Sequence, residues 1–273
     1  MSKIWFITGS SRGLGRSITL AALRAGDRVV ATARKPQQLD DLVAEFGDAI
    51  YPLALDVTNN EQVEQAVDAA VKHFGRLDVV VNNAGYGDLA AVEDVTLEDF
   101  RAQIDTNFYG VVYVSKAVVP VLRRQGSGHI FQVSSLGGRI GMVGLGAYQS
   151  AKWAVGGFST VLAQEVTPLG IKVTVLEPGG MQTDWAGPSM TIPPISEPYQ
   201  QSVGALAELL NSPGILPTRP DRVAEIVLEL ALKDDAPLRL LIGSDAVQYA
   251  AKAAQDLAES DKKWHDLSVS ASN

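Results

Sequence analysis

Two hydrophobic rhythms alternate along the chain. Short runs, apolar at nearly every position, recur at 4–7, 28–33, 50–55, 77–81, 128–133, 171–176 and 238–242. Between them apolar residues return at helical spacing, as in Ile18, Leu20, Ala21, Ala22 and Leu23, then Leu39, Leu42, Val43 and Phe46, then Val63, Ala66, Val67, Ala70 and Val71. Further helical stretches are predicted at 100–124, 148–166, 222–232 and 247–264. Strands that are apolar throughout, rather than at alternate positions, are buried on both faces. Strands alternating with helices from end to end predict an α/β protein: one doubly wound parallel sheet with helices on both faces and right-handed crossovers. Local signals punctuate the pattern. Pro36 suits a first helical turn, Thr58 with Glu61 reads as a capping box, and Thr96 with Asp99 opens another helix. The segment 184–218 breaks the rhythm. It carries Pro188, Pro193, Pro194, Pro198, Pro213 and Pro217, and only 203–210 reads as helix. The expectation is one domain spanning 1–273, with 184–218 as a substrate-binding lid and 268–273 as a frayed tail.

Ligands of such sheets bind outside the carboxyl ends of the strands. Here those ends carry Thr8-Gly9-Ser10-Ser11-Arg12-Gly13-Leu14-Gly15, then Arg34, Asp56-Val57, Asn82-Asn83-Ala84-Gly85, Ser134-Ser135 and Pro178-Gly179. The first of these lies between a strand and a helix. Glycines let the backbone turn tightly and approach a phosphate, and the helix N-terminus offers free N–H groups to it. An ordinary strand-to-helix turn also uses glycine, so the turn alone decides nothing. Tyr148 and Lys152 are four apart and share a helix face. A nearby ammonium favours a phenolate, which would lower the phenol's pKa and suit it to general acid–base work. The plainer reading of such a pair is a solvated helix face. Ser135, at a strand end, is placed to donate to a carbonyl oxygen on which negative charge develops, or else to serve as a turn hydroxyl. Asn107 stands within a predicted helix, where Asn is a mediocre former, which a buried polar role would explain.

Composition narrows the classes. Of 273 residues 46% are hydrophobic and 20% charged, as in a soluble globular protein. The net charge is −8, and no basic run exceeds a pair, which argues against a nucleic-acid partner. With no cysteine there is no disulfide and no thiolate metal site, and the three histidines lack metal-ligand spacing. No segment reaches membrane-spanning length, so a cytoplasmic protein without membrane contact is expected. A serine hydrolase is disfavoured because no Gly-x-Ser-x-Gly elbow is present.

Taken together, Thr8-Gly9-x-x-x-Gly13-x-Gly15, Asn82-Asn83-Ala84-Gly85, Asn107, Ser135, Tyr148-x-x-x-Lys152 and Pro178-Gly179 resemble the short-chain dehydrogenase/reductase family, in order and spacing, from Lys3 to about Thr183. The compact branch that includes bacterial hydroxysteroid dehydrogenase-like ketoreductases is nearest in style. The resemblance implies a single Rossmann-type sheet of seven strands. It implies Tyr148 as proton donor or acceptor, Lys152 on the nicotinamide ribose, Ser135 orienting the carbonyl or alcohol, and Asn107 positioning a water. The expected cofactor residues are Gly9, Ser11, Arg12, Gly13, Leu14, Gly15, Arg34, Asp56, Val57, Asn83, Ala84, Gly85, Tyr148, Lys152, Pro178, Gly179 and Thr183. It also implies a homodimer or homotetramer pairing the helices near 100–124 and 148–166.

The expected activity is NADP(H)-dependent interconversion of a ketone or aldehyde and an alcohol, with no metal. A cofactor lacking the 2′-phosphate is usually held by an acid at the end of the second strand. Ala33 occupies that position, Arg34 follows it, and Arg12 adds a second cation. Ser135, Val143, Tyr148, Trp185 and Met190 are expected around an apolar small-molecule substrate. A non-enzymatic NADP-binding sensor is the rival from another class; such relatives typically lose the Tyr or the Lys. An epimerase or dehydratase of the same superfamily would usually have a longer chain.

Overall fold

The computed structural model describes residues 2–183, 190–210 and 218–272. Its centre is a parallel sheet of seven strands in the order β3-β2-β1-β4-β5-β6-β7. These are β1 (Ile4–Ile7), β2 (Arg28–Ala33), β3 (Ile50–Ala54), β4 (Val79–Asn82), β5 (Gly128–Val133), β6 (Ile171–Pro178) and β7 (Arg239–Ile242). The order reverses between β1 and β4, which is the switch point where a crevice opens at the strand ends. Ile7 sits in register with Ala31 on one side and Val81 on the other.

Successive residues of each strand feed opposite faces. Trp5, Ile7, Val29, Ala31, Val79, Val81, Phe131 and Leu176 pack under α1 (Gly13–Arg24) and α8 (Pro220–Leu232). Ile4, Phe6, Val30, Val80, Ile130 and Val173 pack under α3 (Asn60–Phe74), α5 (Gly110–Gln125) and α6 (Gly146–Val166). That two-sided burial is what the continuous apolar runs predicted. The remaining helices are α2 (Asp40–Phe46), α4 (Leu97–Ile104), α7 (Ala205–Leu210) and α9 (Ser244–Val269).

Three local expectations are corrected. The cap of α3 is Asn59, whose side chain accepts from the Gln62 N–H at 3.1 Å; the Thr58 hydroxyl instead bonds Asp56 at 2.7 Å. The predicted long helix over 100–124 is interrupted by a π-turn, Asp105–Tyr109, between α4 and α5. The tail is not frayed as far as it is described: α9 runs to Val269 and a 3-10 turn, Ser270–Ser272, follows.

The segment 184–218 is described over 190–210 and at Thr218; Trp185 lies outside the described residues. Over 190–210 the chain is tied to the loop after β4. The Leu89 N–H donates to the Thr191 carbonyl, and the Thr191 and Ser196 N–H groups donate to the carboxylates of Asp88 and Asp94. Leu89, Ala91, Leu145, Val203 and Leu206 form a small separate core there, with Met190 packed against it.

Candidate active site

The glycine turn between β1 and α1 is a cradle. Gly9 and Gly13 have φ of 70° and 54°, the left-handed region that a side chain disfavours. A Cβ on Gly15 would overlap the Gly9 carbonyl oxygen and the Asn83 amide, so only glycine lets helix and strand approach this closely. Asn83 braces the turn by donating to the Thr8 and Gly9 carbonyls at 2.9 and 3.2 Å. The Thr8 hydroxyl accepts from the Asn83 and Ala84 N–H groups at 2.9 and 3.0 Å, tying β1 to β4. The start of α1 has no side-chain cap and no acid in its first turn, so its N–H groups face an anion site unopposed.

A cleft of about 570 Å³ runs from this cradle along the strand ends. That is within the roughly 300–1,000 Å³ usual for ligand sites. It is lined at one end by Arg12, Ala33, Arg34, Asp56 and Val57, and at the other by Asn107, Ser135, Tyr148, Lys152, Pro178, Gly179 and Thr183. Gly9, Ser11, Gly13, Leu14, Asn83, Ala84 and Gly85 lie between. Every expected cofactor residue is therefore on one surface, except Gly15, which sits beneath it. The donor set fits a dinucleotide: an open helix end for the diphosphate, and two exposed arginines where an acid would otherwise bind a ribose. Among the described residues the side chains of Arg12 and Arg34 make no hydrogen bond or ion pair, so both guanidinium groups are available.

Tyr148 and Lys152 stand on the first turns of α6, buried rather than solvated. Burial pushes the Tyr148 phenol up to about 12, with a hydrogen bond from Ser135 pulling the other way. Burial also holds the Lys152 ammonium down to about 8. The expected lowering of the phenol by the ammonium is thus corrected. Lys152 Nζ lies 5.6 Å from the Tyr148 ring centre and donates to the Val133 carbonyl at 2.8 Å. In this state burial, and not the ammonium, sets the direction of the phenol's shift.

Ser135 begins a 3-10 turn, Leu136–Gly138, and its Oγ accepts from the Gly137 N–H at 3.0 Å, which fixes the hydroxyl at the end of β5. Asn107 is fully buried inside the π-turn. Its amide donates to the Tyr86 and Gln103 carbonyls at 2.8 and 2.9 Å and accepts from the Tyr86 N–H at 3.2 Å. A π-turn widens the helix at one point, and such turns collect at functional sites. Here it turns Asn107 toward the strand-end loop; a Cβ on Gly85 would press on its Oδ1.

Two expected substrate residues stand off this surface. Val143 is exposed on the loop before α6, and Met190 packs on the separate small core. Sequence reasoning missed Gln38, Leu55, Thr58, Tyr86, Thr106, Val133, Gly180 and Met181 as lining residues. For most of them a position next to an expected residue was the available signal; Gln38, four residues after Arg34, carried none. It also missed Glu177, a fully buried carboxylate held between Arg139 at 2.6 Å and Arg239 at 2.8 Å. Arg139 follows the Ser135 turn, so this pair of ion contacts fastens that turn to β6. Among the described residues no cluster of His, Cys, Asp or Glu could hold a metal, and no helix is long and apolar enough to cross a membrane.

A sequence model of the family described as short chain dehydrogenase matches residues 3–191. The chain is 64% identical over 271 residues to an oxidoreductase, BOA17, of Botryotinia fuckeliana, covering 98% of this chain and 99% of that one. Its structure resembles that of a short-chain dehydrogenase from Streptomyces avermitilis, with a TM-score of 0.94, 33% identity and 99% of each chain covered. It also resembles an alcohol dehydrogenase from Thermococcus sibiricus complexed with 5-hydroxy-NADP. That match has a TM-score of 0.73 and 29% identity, covering 89% of this chain and 96% of that one.

Proposed function

The chain belongs to the short-chain dehydrogenase family, and on that premise we propose that it interconverts a ketone or aldehyde and the corresponding alcohol using NADP(H). Family membership makes it an oxidoreductase of the nicotinamide-dinucleotide type. When bound, the cofactor supplies or accepts the hydride. The observation that carries the reading is the meeting of Ser135, Tyr148 and Lys152 at one end of a cleft whose middle is the glycine cradle.

With its phenol pushed up to about 12, Tyr148 holds its proton at neutral pH and donates it to the carbonyl oxygen as negative charge develops there. The Ser135 hydroxyl, fixed by the Gly137 N–H, donates to the same oxygen. Lys152 spends one N–H on the Val133 carbonyl and keeps two for the ribose and the phenol. Buried and set at about 8, it can pass on a proton as the phenol loses its own. In the reverse direction the same groups take the proton from an alcohol. Asn107, held by three hydrogen bonds, keeps the strand-end loop in place behind them.

The preference for NADP(H) rests on Ala33, which leaves the acid position empty of charge, and on Arg12 and Arg34, whose side chains have no partner among the described residues. An Arg makes paired hydrogen bonds to a phosphate. The segment 184–218 supplies the substrate's apolar surroundings, and the enzyme works in the cytoplasm as a homodimer or homotetramer.

The test is a panel of ketones and alcohols assayed with NADPH, NADH and their oxidised forms. Faster reduction of at least one apolar ketone with NADPH than with NADH is expected. Tight NADPH binding without turnover of any carbonyl or alcohol would instead favour the non-enzymatic sensor.

A further inference from the structure

The long C-terminal helix α9 (Ser244–Val269) leaves the body of the molecule after its first two turns. Ala246 and Ala250 are buried against Leu136, Ile140 and Leu241, whereas nearly every residue from Ala251 onward is exposed. At 1.5 Å per residue the 26-residue helix is about 39 Å long, most of it exposed.

Its projecting part is not polar all round. Ala246, Ala250, Ala253, Leu257, Ser260, Trp264, Leu267 and Ala271 follow one another at steps of four and three, the spacing of a coiled-coil seam. Leu257, Trp264 and Leu267 on that seam are 64%, 53% and 67% exposed. The buried Ala246 and Ala250 begin the same stripe, so an apolar face continuous with the core runs out into solvent.

We propose that this stripe pairs with α9 of a second copy of the chain, antiparallel, about a two-fold axis near residues 258 and 259. In that register Trp264 lies against the partner's Ala253 and Leu257 against the partner's Ser260, while Ala246 and Ala250 stay packed on their own core. Each of these layers sets a large side chain on a small one. The flanking charges agree. Asp256 faces the partner's Lys263 and the reverse, giving two opposite-charge pairs across the interface, with Lys252 beside each Asp256. A parallel pairing would instead stack Trp264 on the partner's Trp264 and set Asp256 opposite the partner's Asp261, a like-charge contact repeated twice. Charge and size both select the antiparallel second copy. This interface is separate from the expected pairing of the helices near 100–124 and 148–166, and it does not depend on the proposed reaction.

Sedimentation equilibrium of the full chain tests it, on the wild type and three variants. Leu257→Asp places a charge in the seam at an exposed position far from the cleft, so fold and turnover should persist while the assembled mass halves or its dissociation constant rises at least tenfold. Lys263→Glu sets two acidic pairs against each other and should weaken assembly. Asp256→Lys combined with Lys263→Glu reverses both charges and should restore it. A wild type that is monomeric at micromolar concentration would overturn the proposal. So would assembly that none of the variants changes, or weakening by Lys263→Glu that the double variant fails to relieve.

Discussion

Replacing Lys152 by methionine is expected to stabilise the protein while abolishing turnover. Lys152 is 4% exposed, and burial brings its pKa from 10.5 to about 8. At about 1.4 kcal/mol per pKa unit, a charged Lys152 costs the fold roughly 3 kcal/mol at pH 7. The sign follows from proton counting. Between pH 8 and 10.5 the unfolded chain binds this proton and the folded chain does not, so wild-type stability rises with pH through that window. Below pH 8 the penalty is fully present. Against the gain stands one lost hydrogen bond, which leaves the Val133 carbonyl without the ammonium and costs about 1–2 kcal/mol. Methionine has similar length and no charge, so packing is largely kept. The net expectation is a gain of about 1–2 kcal/mol at pH 7. Between pH 7 and 9.5 that advantage shrinks by about 2 kcal/mol, as the wild type sheds its penalty. Tyr148 acts in the opposite direction, its folded pKa of about 12 lying above the unfolded value, so its effect begins only near pH 10. The assay is urea unfolding of the cofactor-free wild type and Lys152→Met at the two pH values. A variant less stable than wild type at pH 7, with a difference that does not change by pH 9.5, would refute the reasoning.

Further outcomes follow from the same structure. Ala33→Asp should turn the ratio of kcat/KM for NADPH and NADH toward NADH by roughly tenfold or more, since two charges at about 4 Å interact by about 1–4 kcal/mol at surface dielectrics; Arg34→Ala should weaken NADPH much more than NADH. No change of the ratio in either variant would count against the 2′-phosphate assignment. Gly15→Ala forces a Cβ onto the Gly9 carbonyl and the Asn83 amide, and should cost about 1–3 kcal/mol of stability together with cofactor affinity, read by thermal melts and NADPH titration. Glu177→Ala leaves Arg139 and Arg239 without their shared carboxylate and should cost roughly 3 kcal/mol in urea unfolding.

Much of this was legible in the residues because the signals were local. Seven runs apolar at consecutive positions can be buried only in a sheet covered on both sides, and the seven strands of the structure coincide with them to within a few residues. The strand ends then bring Gly9, Asn83, Ser135 and Pro178 together without further information. What escaped the sequence depends on contacts distant along the chain. The π-turn around Asn107 is stabilised by the Tyr86 backbone, 21 residues away, so helical periodicity alone reads straight through it. Thr58 and Asn59 are both good caps, and the Asp56 carboxylate decides between them by taking the Thr58 hydroxyl. Spacing put Tyr148 and Lys152 on one face, but their protonation is governed by depth of burial, which spacing does not carry. Met190 reads as a pocket residue because it is apolar and lies in a proline-rich segment; its actual neighbours are the small core around Leu89 and Val203.

The central claim is that Tyr148 is the proton donor in carbonyl reduction. Tyr148→Phe removes only the hydroxyl from a buried ring, so the fold and NADPH binding should remain. The decisive measurement is single-turnover reduction of the best ketone by Tyr148→Phe saturated with NADPH. A rate at least about a hundredfold below wild type, with an unchanged dissociation constant for NADPH, is the expected result. A rate near that of the wild type would contradict it.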